Sequence, residues 1–186
     1  MYGSTPAGVA FQLGIEETRA IELINMYFNA YPLIKVFIND AHMMAVANQY
    51  VITPFGQKKW EFGTMKEYKY TAAYNACKRN AQNVLIQSTT SSLGLFCFAA
   101  LNEKIKELGG KNLCSVYDSC ELEIPINRLA EAIELGFYYM NDYPQEDFDW
   151  LDFPIGADAE IGPNWGTLHG VKRGITQEQV MGVLSG

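Results

Sequence analysis

The spacing of apolar residues changes period at Gly109-Gly110, and that change limits the fold more than any other feature of the sequence. Before it, apolar residues recur at helical intervals. Ala20, Ile21, Ile24, Tyr27 and Phe28 mark a helix over 15–30 that is punctuated by Tyr31-Pro32. Ile34, Phe37, Ile38, Ala41, Ala45 and Val46 mark a second over 33–50. Ser4-Thr5-Pro6, a hydroxyl followed by proline, starts a short helix that Gly14 stops. Val51 to Gly56 reads as a turn or hairpin entry, and Lys66 to Gly109 as a long helical region broken around Gln87-Ser88-Thr89-Thr90. After Gly110, side chains alternate. Leu113 to Val116 is a short strand, Tyr117-Asp118 its turn, and Ser119 to Pro125 a half-buried return strand with Cys120, Leu122 and Ile124 on one face. Arg128 to Tyr139 is a helix, 141–152 an acidic, aromatic loop, Phe153 to Gly162 a further strand and Thr176 to Leu184 a small last helix. The class is α+β, mostly helical at first and then a small antiparallel sheet, with 1–60 as a possible separate lobe.

A chain of 186 residues, 48% hydrophobic and 19% charged, is long enough for one domain with a real core. Its longest apolar runs, such as Leu93 to Leu101, are short, so no segment is expected to span a membrane. Cys77, Cys97, Cys114 and Cys120 stand singly, without metal-type spacing, and read as buried free thiols of a reducing cytoplasm. The net charge of -7 argues against tight binding to nucleic acid, but it is unevenly placed. Residues 1–110 carry ten Lys/Arg against eight Asp/Glu, a net +2; residues 111–186 carry four against thirteen, a net -9. A phosphate backbone responds to local charge, and 56–80 holds Lys58, Lys59, Lys66, Lys69, Lys78 and Arg79 against Glu61 and Glu67.

Three polar side chains, Arg79, Asn83 and Gln87, stand four apart. Each step of four drifts by only about 40° around a helix, so they share one stripe. Arginine and the amides donate hydrogen bonds, and the minor groove offers purine N3 and pyrimidine O2 acceptors at every base pair. Such a stripe would test pair shape without reading sequence, although a solvated helix face looks the same. Asp118 at a hairpin tip could present a carboxylate to a hard cation such as Mg²⁺, or be an ordinary turn aspartate. Lys58 and Lys59 could meet phosphates; His42 reads as structural and His169 as either.

Together these pieces resemble the C-terminal part of family A DNA polymerases, the bacterial DNA polymerase I type that phages also carry. Tyr2-Gly3-Ser4-Thr5-Pro6 looks like the end of the fingers helix, and Tyr27-Phe28 with Tyr31-Pro32 like the family's aromatic-then-Tyr-Pro helix. Thr53-Pro54-Phe55-Gly56-Gln57-Lys58-Lys59 is similar to its Thr-x-x-Gly-Arg-x-Arg turn, with Gln57 and Lys59 in place of arginines. Arg79 to Asn83 with Ile86 to Thr89 resembles the duplex-contacting helix. Val116-Tyr117-Asp118-Ser119 stands where Val-His-Asp-Glu belongs, and Gly162-Pro163-Asn164-Trp165 with His169 resembles the terminal Gly-x-Asn-Trp segment.

The resemblance implies a fold, an activity and roles. The fold is the end of the fingers (1–60) and the palm (61–170), followed by an extension (171–186), incomplete relative to a whole polymerase. The activity is template-directed nucleotidyl transfer by two Mg²⁺ ions, with primer-template DNA and dNTP as partners. Asp118 would be one of two catalytic, metal-binding aspartates. Arg79, Asn83 and Gln87, with Tyr117, Lys58 and Lys59, would contact DNA, and Tyr2 and Gly3 would lie near the templating base and incoming nucleotide. Tyr117 and Ser119 replace histidine and the motif's second acid. The first catalytic aspartate and the triphosphate-binding residues lie upstream in the family, so the resemblance implies a split enzyme, inactive alone, whose other part is an upstream fragment or subunit. Its location would be cytoplasmic, in the host if phage-encoded. The alternatives are a non-catalytic duplex-binding module and, less well supplied with ligands, a small metal-dependent phosphohydrolase. A fragment of a larger fold is also expected to expose apolar surface and to self-associate or be marginally stable.

Overall fold

The computed structural model describes residues 4–60 and 71–185, and the chain divides into two compact units, Met1–Thr89 and Thr90–Gly186. The first unit begins with three helices, α1 (Pro6–Leu13), α2 (Glu17–Ala30) and α3 (Pro32–Asn48). Thr5 accepts a hydrogen bond at Oγ1 from the Gly8 amide, Pro6 opens the first turn, and Gly14 closes α1 at a φ of 63°. Pro32 opens α3, and Gln49 ends it in the left-handed region. A two-stranded hairpin follows, β1 (Val51–Ile52) and β2 (Lys58–Lys59), in antiparallel register. Its turn explains the Thr-x-x-Gly spacing. Thr53 receives the Gly56 amide on its carbonyl and the Gln57 amide on its hydroxyl, and Gly56 takes a φ of 75°.

Helix α4 runs without interruption from Ala72 to Glu107. The break expected around Gln87 to Thr90 is absent because the polar side chains there serve the helix. Thr89 Oγ1 donates to the Leu85 carbonyl at 2.6 Å, a bond that a hydroxyl makes within helical geometry. Continuity also corrects the expectation about membranes. By length and composition alone α4 could cross one, with a mean hydropathy of 1.5 in its most apolar window. The same helix supplies Ala81 and Leu85 to one protein core and Leu101 and Ile105 to another, while only 28% of that apolar window is buried. In the first unit Ala41 and Ala45 of α3 meet Ala81 and Leu85 of α4 around the fully buried Val51. Alanines four apart on α3 leave room for the Leu85 side chain of α4.

In the second unit β3 (Lys111–Val116) and β4 (Ser119–Glu123) form a hairpin with a register shift between Asn112 and Cys114. Gly109 at a φ of 78° ends α4, and Gly110 has no room for a Cβ, which would lie 2.8 Å from the Glu123 carbonyl. Cys120, Leu122 and Ile124 pack on Leu101, Ile105 and Ala132, as the alternation implied. Helix α5 (Leu129–Phe137) turns Ala132 to that core and Ile133 to a second one, shared with Ile161, Val171 and Val180. This second core is closed by β5 (Ala159–Ile161), β6 (His169–Val171) and α7 (Gln177–Ser185). The Gln177 side chain caps α5 by accepting from the Ala130 amide and donating to the Ile126 carbonyl.

Three further expectations change. The expected loop over 141–152 is instead helical as far as Asp147: a π-helical turn (Tyr138–Asp142) runs into α6 (Tyr143–Asp147), and Tyr139 and Tyr143 pack in an aromatic cluster with Phe96 and Phe148. Tyr138 donates to Glu146 at 2.8 Å, a bond that pushes its hydroxyl up to about 12, and Arg173 offsets Asp142 at 2.7 Å. The strand expected over Phe153 to Gly162 shrinks to Ala159–Ile161, since Pro154 and Gly156 interrupt the ladder. Of the four free thiols, Cys97 is buried but Cys114 is exposed on β3. Burial pushes the Cys97 and Cys120 thiols up to about 11, which leaves them unreactive.

Candidate nucleic-acid interface

The first half of α4 carries the polar stripe. Ala81 and Leu85 face the core, and a residue two positions away points roughly 200° around the helix. Arg79, Asn83 and Gln87 therefore face away from that core. Arg79 and Gln87 are exposed and Asn83 is half-buried. The Arg79 guanidinium makes no ion pair among the described residues.

Beside the stripe lies a cleft of about 410 Å³ that the sequence did not disclose. Tyr27 of α2, Ile34, Phe37 and Ile38 of α3, and Asn83 and Ile86 of α4 line it. The Asn83 carbonyl oxygen is buried and has no hydrogen-bond partner among the described residues. An unsatisfied buried amide oxygen costs roughly 1–3 kcal/mol, so the residue is poised to accept a donor. Its neighbour Gln82 is buried and bonds His42 Nε2 at 3.2 Å, tying α3 to α4.

Burial, then the nearby Lys78 charge, lowers the His42 pKa below its ordinary 6.5. The folded unit thus prefers the neutral ring, while the unfolded chain takes up the proton first. His42 is expected to leave stability flat above about pH 6.5 and to reduce it as the pH falls toward the depressed value. Urea midpoints of wild type and His42→Gln between pH 7.5 and 5 check this; the variant should lose less stability on acidification.

Lys58 and Lys59 both lie on β2 in this unit. The Lys58 ammonium sits 4.7 Å from the Tyr50 ring centroid and 5.6 Å from that of Trp60. Neither aromatic stood out in the sequence. The hairpin register, Val51 with Lys59 and Ile52 with Lys58, extends by one step to set Tyr50 opposite Trp60. Tyr2 and Gly3 lie outside the described residues.

Asp118 and Tyr117 belong to the second unit, as the two turn residues between β3 and β4. Both are exposed, and Tyr117 holds a φ of 55°, unusual for a bulky side chain. Ser119 donates its hydroxyl to the Val116 carbonyl at 3.0 Å across the exposed turn. That leaves the Asp118 carboxylate as the hard-oxygen donor at the tip, with no hydrogen bond of its own among the described residues. Among the described residues no three His, Cys, Asp or Glu side chains converge as a metal site would require. Farther along, Gly162 to Trp165 builds the β5–β6 turn. Asn164 Oδ1 accepts from the Gly166 amide and the Thr167 hydroxyl, and Gly162 leaves no space for a Cβ against the Thr167 carbonyl.

A model of DNA polymerase family A matches residues 1–167. The thermostable DNA polymerase I of Thermus filiformis is 28% identical over 166 residues, covering 89% of this chain and 19% of that protein. DNA polymerase I of Deinococcus radiodurans is 26% identical over 165 residues, covering 89% of this chain and 16% of that protein. The chain thus spans about a fifth or less of the length of these relatives. Among solved structures, the POL domain of Pol1 from M. smegmatis, in complex with DNA primer-template and dNTP, superposes with a TM-score of 0.67. It is 21% identical, over 74% of this chain and 24% of that one, a likeness of fold.

Proposed function

The chain belongs to DNA polymerase family A, and on that premise we propose that it is the C-terminal, duplex-holding part of a DNA-directed DNA polymerase. It would work in the cytoplasm with an upstream fragment or subunit that supplies the first catalytic aspartate and the triphosphate-binding residues. The observation that carries the reading is the α4 stripe: an exposed Arg79 with no ion pair among the described residues, a half-buried Asn83 and an exposed Gln87, all on one helix face within the family-matched segment.

In this reading Arg79 and Gln87 donate to minor-groove acceptors of the primer-template near the new pair, while Asn83 adds an amide to the same row. These acceptors keep their positions only in a correctly shaped pair, so the row holds matched termini better than mismatched ones. Lys58 and Lys59 on β2 meet backbone phosphate, Tyr117 packs beside the duplex, and Tyr2 and Gly3 lie near the templating base and incoming dNTP. Asp118 offers one carboxylate of a Mg²⁺ site, and the remaining acid ligands come from the upstream part. When bound, the cations would activate the primer hydroxyl and offset charge on the leaving pyrophosphate. The division into fingers over 1–60, palm over 61–170 and extension over 171–186 belongs to this proposal. Exposed Phe11, Leu33 and Met43 in the first unit support a missing covering partner.

The test joins this chain to the upstream remainder of a family A polymerase and follows primer extension. Extension by the pair and not by either part supports the reading; no extension from two folded parts rejects it. Arg79→Ala is expected to weaken primer-template binding by roughly 5- to 150-fold, the range for losing one good groove contact of about 1–3 kcal/mol. Fluorescence anisotropy with a labelled primer-template measures it, and an unchanged Kd removes Arg79 from the interface.

A further inference from the structure

Trp60 closes β2 with 62% of its surface exposed, yet it is held in place. Its ring lies 4.7 Å from that of Tyr50 at an interplanar angle of 50°, and the Lys58 ammonium sits over both. A large indole left open to water gains nothing for the fold on its open side. A fixed cation beside it gains only a modest contact at an exposed site. A flat π surface next to a held cation is, however, the pairing that recognises an unpaired nucleotide. The base stacks on the ring and the phosphate meets the ammonium. A paired base inside a duplex cannot use this site, because its two faces are covered by neighbours in the stack. The local surplus of lysine and arginine over 56–80 favours any such anionic strand.

We propose that the Tyr50–Lys58–Trp60 end of the hairpin is a stacking site for an unpaired base of single-stranded DNA, such as a template overhang. The site lies apart from the α4 stripe and shares with the duplex reading only the Lys58 phosphate contact; its biological use rests on the polymerase reading above. Tyr50 sets the angle of the indole, Trp60 supplies the stacking face, and Lys58 supplies the phosphate contact. Both partners of the strand are held before it arrives, so little side-chain freedom is lost on binding.

The test uses the full chain and a single-stranded oligonucleotide carrying one 2-aminopurine, whose fluorescence falls when it stacks on an aromatic ring. Wild type should quench it with saturation. Trp60→Phe, which keeps a π face, should quench. Trp60→Leu, which keeps apolar bulk against Tyr50 but has no π face, should abolish the quench and weaken single-strand binding by about 5- to 150-fold. Blunt duplex binding should be the same in all three. Absence of quenching by wild type, or equal single-strand affinity for wild type and Trp60→Leu, overturns the proposal. If duplex binding persists in that event, the polymerase reading survives it. If Trp60-dependent quenching appears without any duplex binding, the stacking site stands and the duplex reading falls.

Discussion

Asp118→Asn, in this chain assembled with an upstream polymerase part, is expected to slow nucleotide addition by on the order of 10³-fold, since a bound metal contributes several kcal/mol of transition-state stabilisation and each 1.36 kcal/mol is tenfold. Binding of primer-template should hardly change. The substitution is nearly isosteric, and Asp118 sits exposed at a turn without a hydrogen bond among the described residues, so the hairpin loses no internal support. What it loses is a negative charge at the tip. Single-turnover primer extension, with anisotropy run in parallel, separates chemistry from binding. A variant that extends primers as fast as wild type would show that the hairpin aspartate is an ordinary turn residue. The chain would then be a duplex-holding module in which Arg79, Asn83 and Gln87 do all the work.

Much of this fold is written locally. Thr5-Pro6 and Gly14 bracket α1 because a cap, a proline and a left-handed glycine act within one turn of chain. Alternation from Cys120 to Ile124 reports the packed face of β4 for the same reason. Features that depend on distant segments are harder to read. Gln87 to Thr90 looks like a helix break until the hydroxyl of Thr89 is seen to bond back to Leu85. The aromatic residues of 141–152 look like a loop until Phe96, more than forty positions earlier, gives Tyr143 and Phe148 something to pack on. The polar stripe was legible, since spacing alone defines it. The cleft beside it was not, because α2, α3 and α4 must meet before Asn83 has a buried oxygen. Trp60 carries no signal in the sequence for a similar reason: its partner Tyr50 is set by a register that only the closed hairpin fixes.

Ile105→Ala is expected to destabilise the second unit by about 2–5 kcal/mol, the cost of a buried isoleucine lost with little room to collapse. Ile105 is fully buried, and it stands where three elements converge. Leu101 lies one turn away on the same helix, Ala132 approaches from α5, and Leu122 and Ile124 press down from the return strand. The backbone around it cannot follow the smaller side chain inward. Gly110 donates its amide to the Ile105 carbonyl at 2.9 Å, and the Gly110 backbone is already pressed against the Glu123 carbonyl. Leu113→Ala is the control. Leu113 belongs to the same hairpin but is 60% exposed, and its loss should stay within about 0.5 kcal/mol. Urea unfolding followed by circular dichroism checks both, with a fall in midpoint at constant slope for Ile105→Ala. The pair also separates two ways of losing function. If the hairpin's only task is to hold Asp118 in place, Ile105→Ala should lower polymerase activity in proportion to the fraction unfolded, with activity per folded chain retained. A loss of activity in the fully folded variant would mean instead that Asp118 needs the exact height at which Ile105 props the hairpin above α4.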